Sequence, residues 1–73
     1  MFKVETEDMS TGAVVTFFGT LDEMAVRYHE EYKSFEREDW EQVYAEEIDF
    51  DTMSEWKHES GEIVVLSLQE VEE

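Results

Sequence analysis

Any chemistry in this chain would have to come from carboxylates. Twenty-one Asp and Glu stand against five Lys and Arg and two His, and cysteine is absent. Without thiols there are no disulfides, no thiolate metal sites and no cysteine nucleophile. Carboxylates can act as general acids and bases, but among so many no spacing singles out a pair. His29-Glu30-Glu31 lacks the second histidine of a zinc-binding H-E-x-x-H helix, and His58-Glu59 has no matching neighbour. The stretch from Asp49 to Glu55 partly follows a calcium loop, but it has no central glycine and no third acidic ligand at the required spacing. Glycine-rich phosphate loops and the G-x-S-x-G elbow are also missing. The expectation is a protein that is not an enzyme, with no catalytic, cofactor-binding or metal-binding residues.

The charge itself is the stronger signal. Over 73 residues the formal net charge is −16, where a magnitude of about 2–8 suffices to keep a small domain soluble. Such a surface repels nucleic acid and anionic membranes, and it attracts basic proteins. Two groups of carboxylates are the candidates for contact. Glu23, Glu30 and Glu31 fall on the polar side of a helical stripe, where residues one turn apart lie about 5–6 Å from each other, a phosphate-like spacing. Glu36, Glu38, Asp39, Glu41, Glu46, Glu47, Asp49 and Asp51 form the denser group, with Arg37 as its one basic member. Trp40 and Trp56 lie in charged contexts. Trp40 is carried as a candidate binding anchor, although core packing is the commoner fate of a tryptophan in so small a domain.

Several elements must position these groups. Phe2, Val4 and Thr6 alternate with Lys3, Glu5 and Glu7, the period of a half-buried strand, and Ala13–Phe18 is β-branched and aromatic. Asp8–Gly12 between them predicts a hairpin turn. Thr20-Leu21-Asp22-Glu23 is a capping box, followed by an apolar stripe of Leu21, Met24, Ala25, Tyr28, Tyr32 and Phe35 that predicts an amphipathic helix from Leu21 to Ser34. Residues 36–50 admit two readings: a helix capped by Asp39 with Trp40, Val43, Tyr44 and Ile48 on one face, or a strand with Trp40, Tyr44, Ile48 and Phe50 on one face, interrupted by Gln42 and Glu46. The Glu, Gln and Ala content favours a helix over 39–47, with 48–50 extended. Residues 53–58 are open to a strand or a short helix. Ile63–Leu68 predicts a buried strand, and the acidic tail from Glu70 to Glu73 is expected to fray. The expected fold is a single α+β domain over 1–73. It has an antiparallel sheet of three to four strands, formed by the N-terminal hairpin and the C-terminal strand. One helix, with a second in view, packs on one face.

The N-terminal residues lack the basic flank and apolar stretch of a signal peptide, and the longest apolar runs, Ala13–Val15 and Ile63–Leu66, are far too short to span a bilayer. A cytoplasmic location is expected, with no membrane and no direct nucleic-acid contact. In size and charge the chain is similar to the small acidic nucleic-acid mimics that phages direct against restriction, repair or CRISPR enzymes. That resemblance implies an inhibitor or regulator that occupies the basic surface of a nucleic-acid-binding enzyme or transcription component. The rival reading is an adaptor or assembly protein that binds through a sheet edge or apolar patch. Its acidity would then serve solubility or a high-salt cytoplasm, and a homodimer would be one way of covering the free sheet face.

Overall fold

The computed structural model describes residues 1–48 and 51–72. In chain order the elements are β1 (Phe2–Asp8), β2 (Val14–Gly19), α1 (Leu21–Arg37), β3 (Glu41–Ile48), β4 (Asp51–Lys57) and β5 (Ile63–Glu70). The strands form one antiparallel sheet in the order β2-β1-β5-β4-β3. The fold is α+β, but the described residues form five strands, where three to four were expected, and one helix. No helix among the described residues is long and apolar enough to cross a membrane.

Turn chemistry explains the hairpins. At the β1–β2 turn the Asp8 carboxylate accepts from Ser10 N–H at 2.8 Å, and Gly12, at φ 77°, returns its N–H to the Asp8 carbonyl at 2.7 Å. The β4–β5 turn closes through Gly61, at φ 96°, whose N–H reaches the His58 carbonyl at 2.9 Å. Both glycines occupy the left-handed region that a Cβ disfavours.

Helix α1 begins as its capping box requires. Thr20 Oγ1 accepts from Glu23 N–H at 3.2 Å, and Glu23 Oε1 accepts from Thr20 N–H at 3.1 Å. It runs to Arg37, three residues beyond the predicted end, because Phe35 belongs to the buried stripe. With 17 residues it is about 25 Å long. That length carries the chain from β2 at one edge of the sheet toward β3 at the other.

The helix favoured over 39–47 does not form, and the strand alternative holds as β3. Asp39 is no N-cap: its φ of 61° ends α1, and Trp40 N–H returns to the Phe35 carbonyl at 3.1 Å. The segment beyond pairs with β4 from Glu41↔Lys57 to Ile48↔Asp51. Helix propensity differs by less than about 0.7 kcal/mol per residue among ordinary side chains, so a full ladder of strand hydrogen bonds overrides it. Residues 53–58 resolve into β4, which ends at Lys57. Glu70, expected in the frayed tail, is the last residue of β5 and pairs with Phe2.

The core lies between α1 and one face of the sheet. Val4 and Leu66 are completely buried, with Met24, Phe35, Trp56, Val64 and Leu68 around them. Phe35 stacks on Trp56 with ring centroids 5.3 Å apart, while Tyr32 meets the Trp56 ring edge-on at 4.8 Å. Ser54, fully buried on β4, accepts from Trp56 Nε1 at 2.9 Å and from the Tyr28 hydroxyl at 3.0 Å. Trp56 therefore takes the core role that its size suggested.

Candidate functional site

Because β-strands alternate, every core residue fixes an outward neighbour on the other face of the sheet. Among the described residues no helix packs on that face. Register aligns three rows across it: Val14–Glu7–Val65–Glu55–Tyr44, Thr16–Glu5–Ser67–Met53–Glu46, and Phe18–Lys3–Gln69. Glu5 and Glu7 are two residues apart on one strand, about 7 Å, and Glu7 and Glu55 stand on either side of Val65, two strand spacings or about 10 Å apart. Lys3 pairs with Glu5 at 3.9 Å. Among the described residues no carboxylate side chain belongs to a buried residue.

The predicted helical group divides by role. Glu23 is bound into the N-terminal cap, and the two Thr20 hydrogen bonds hold its carboxyl below the usual carboxylate range. Glu30 is exposed, and Glu31 pairs with Arg27 at 3.9 Å. The Arg27 guanidinium in turn lies 4.2 Å from the centroid of the Phe17 ring, tying α1 to β2. The polar side of the helix is therefore partly neutralised by its own cations, since Lys33 also meets Glu36, at 3.5 Å.

The denser group is split along β3. Glu36, Glu38, Asp39 and Glu41 gather where α1 gives way to β3, with Lys57 opposite Glu41 in register. Glu46, Glu47 and Asp51 lie toward the other end of the β3–β4 hairpin, about 20 Å further along the strand. There Tyr44 donates its hydroxyl to Glu46, which raises the phenol above its ordinary value, and Asp51 Oδ1 accepts from Glu70 N–H at 3.4 Å. Asp49 lies outside the described residues. Trp40 is half-buried between Phe35, at 5.3 Å between centroids, and His58, at 5.0 Å, so most of it is committed to the end of the core.

A groove of ≈ 320 Å³ separates α1 from the β3–β4 hairpin, lined by Tyr28, Tyr32, Gln42, Glu47, Thr52 and Ser54 among others. Its phenols are engaged: Tyr28 donates to Ser54 and Tyr32 to Gln42. Burial pushes the Tyr28 phenol up, with partial relief from Ser54. Among the described residues, no three His, Asp or Glu side chains converge in a way that could hold a metal ion.

Glu5, Glu7 and Glu55 were not among the sequence candidates. Their alternation with buried residues places them on a solvated face, but joining Glu55 to Glu7 requires knowing that β5 lies between β1 and β4. No protein-family model matches the chain, and no curated protein or solved structure is significantly similar to it.

Proposed function

We propose that this protein is a binder of basic protein surfaces that presents a phosphate-like density of negative charge, in the manner of a nucleic-acid mimic. The carrying observation is its charge per unit length. The molecule measures 37 × 22 × 19 Å, so 16 net negative charges over 37 Å give one per about 2.3 Å. Duplex DNA carries one per about 1.7 Å of axis, and its helical turn is about 34–36 Å long. A groove shaped to one turn of duplex therefore meets a body of similar length and comparable charge. Only three ion pairs draw on that charge among the described residues, all at 3.5–3.9 Å between partly exposed side chains. Pairs of this kind contribute at most about 1 kcal/mol each to folding, so internal stability does not account for the acids.

The mechanism is competitive occupation. Carboxylates take the places of phosphates on the partner, and long-range attraction speeds the encounter. Capture of partners from a nuclease-treated lysate, followed by elution with duplex DNA, tests this. The expected outcome is release of a nucleic-acid-binding protein by DNA, with affinity falling steeply between about 0.05 and 0.5 M salt. A partner that DNA cannot displace and that holds equally well at both salts would sink the reading.

A further inference from the structure

The two edges of the sheet are built differently. β3 carries Glu41, Glu46 and Glu47, and its register shifts between Gln42 and Tyr44. Charges and bulges of this kind keep an edge from recruiting another strand. β2, Val14-Val15-Thr16-Phe17-Phe18-Gly19, has no charge, no proline and an unbroken register with β1. Val14, Val15 and Phe18 are 49%, 53% and 58% exposed.

Its hydrogen-bonding groups are also placed for pairing. Asp8 N–H donates to the Ala13 carbonyl at 2.8 Å, which fixes the antiparallel alternation. Val15 and Phe17 therefore face β1 with their N–H and C=O groups, while Val14, Thr16 and Phe18 turn theirs outward. We propose that this edge takes up an extended segment of a partner chain in which a basic residue sits between apolar ones at alternate positions, adding a sixth strand. Val14 and Phe18 on the bare face offer the apolar contacts. Between them Thr16 is small, and its hydroxyl donates to Glu5 at 3.4 Å. A Lys or Arg opposite Thr16 stands two strand spacings, about 10 Å, from the Glu5 backbone, within the combined reach of the two side chains. Lys3, the one basic residue of β1, pairs with Glu5.

Charge decides against a second copy as the occupant. A second β2 carries no basic residue and brings 16 more negative charges. The inference uses the same surface charge as the mimic reading, but it does not need the partner to bind nucleic acid.

The test is amide hydrogen exchange by NMR on the full chain, with a short synthetic peptide containing Val-Thr-Lys-Thr-Val, which presents valine, lysine and valine on one face, and the same peptide with glutamate in place of lysine as control. Exchange at Val14, Thr16 and Phe18 should slow by about tenfold or more with the lysine peptide and not with its control. Thr16→Pro removes an outward N–H at an edge position that tolerates proline, and it should abolish the slowing. Phe18→Lys serves the same purpose if the proline variant does not fold. No slowing at these amides, or slowing confined to β3, would overturn the proposal. Slowing that grows with protein concentration in the absence of peptide would identify a second copy and overturn it equally. DNA displacement of captured partners is read independently of these amides, so the two readings can fail separately.

Discussion

On β1, Val4 is completely buried beneath α1, while its neighbour Glu5 lies on the uncovered side beside Lys3. On β4, Trp56 is buried and Glu55 faces the opposite way. The two faces of the sheet thus come from the same strands with different demands on them. The covered face must supply the apolar packing of a small domain with no disulfide to help it. The bare face contributes little to that packing, so its residues are free to be set by what the protein meets. The difference shows where acidity can accumulate: wherever alternation exempts a side chain from the core.

The sharpest way to break this comparison is to truncate one residue on each face. Leu66→Ala should cost about 2–5 kcal/mol in urea unfolding, through lost burial and the cavity left behind. Phe18→Ala, on the bare side, should stay within about 0.5 kcal/mol. Similar losses at both positions would mean that the bare face is structural too.

Ser54→Ala asks whether the covered face tolerates a polar defect. Its hydroxyl is the acceptor for both Trp56 Nε1 and Tyr28. Removing it leaves the buried Trp56 N–H without an acceptor, at about 1–3 kcal/mol. An unchanged melting temperature would show that water replaces the hydroxyl and that this end of the core is looser than described.

The smallest effects belong to the helix cap, outside both faces. Thr20→Ala should cost about 1 kcal/mol. Glu23→Ala should cost less, in a pH-dependent way. The folded-state pKa of Glu23 lies below its ordinary value, so its stabilisation is fully present above the unfolded carboxylate range and is lost as pH falls through the folded value. Unfolding curves of wild type and Glu23→Ala should therefore converge in acid, and a gap that persists at low pH would count against the capping bond as its cause.

Much of the fold was legible where one physical signal acted alone. The alternation of Phe2 to Glu7 and the capping box at Thr20 and Glu23 mark β1 and the start of α1 without ambiguity. β3 was illegible for a local reason. The register shift at Val43 breaks the period of two, and Glu, Gln and Ala suit a helix when considered without a partner strand. The site was less legible than the fold. Glu36 to Asp51 are contiguous in sequence but sit at both ends of an edge strand, whereas Glu7 and Glu55, far apart in sequence, share one row across the sheet. Glu23 is a poor choice for a charge-reversal test, since its carboxylate belongs to the helix cap.

The position of β5 carries a consequence of its own. It comes last among the strands in chain order, yet it occupies the middle of the sheet, between β1 and β4. Without residues 63–70, β1–β2 and β3–β4 are two separate hairpins, and a lone hairpin is marginally stable at best. The five-stranded sheet therefore cannot close during synthesis until residues 63–70 are available to join the two hairpins, and that closure must bring residues 2–8 and 63–70 together across most of the sequence.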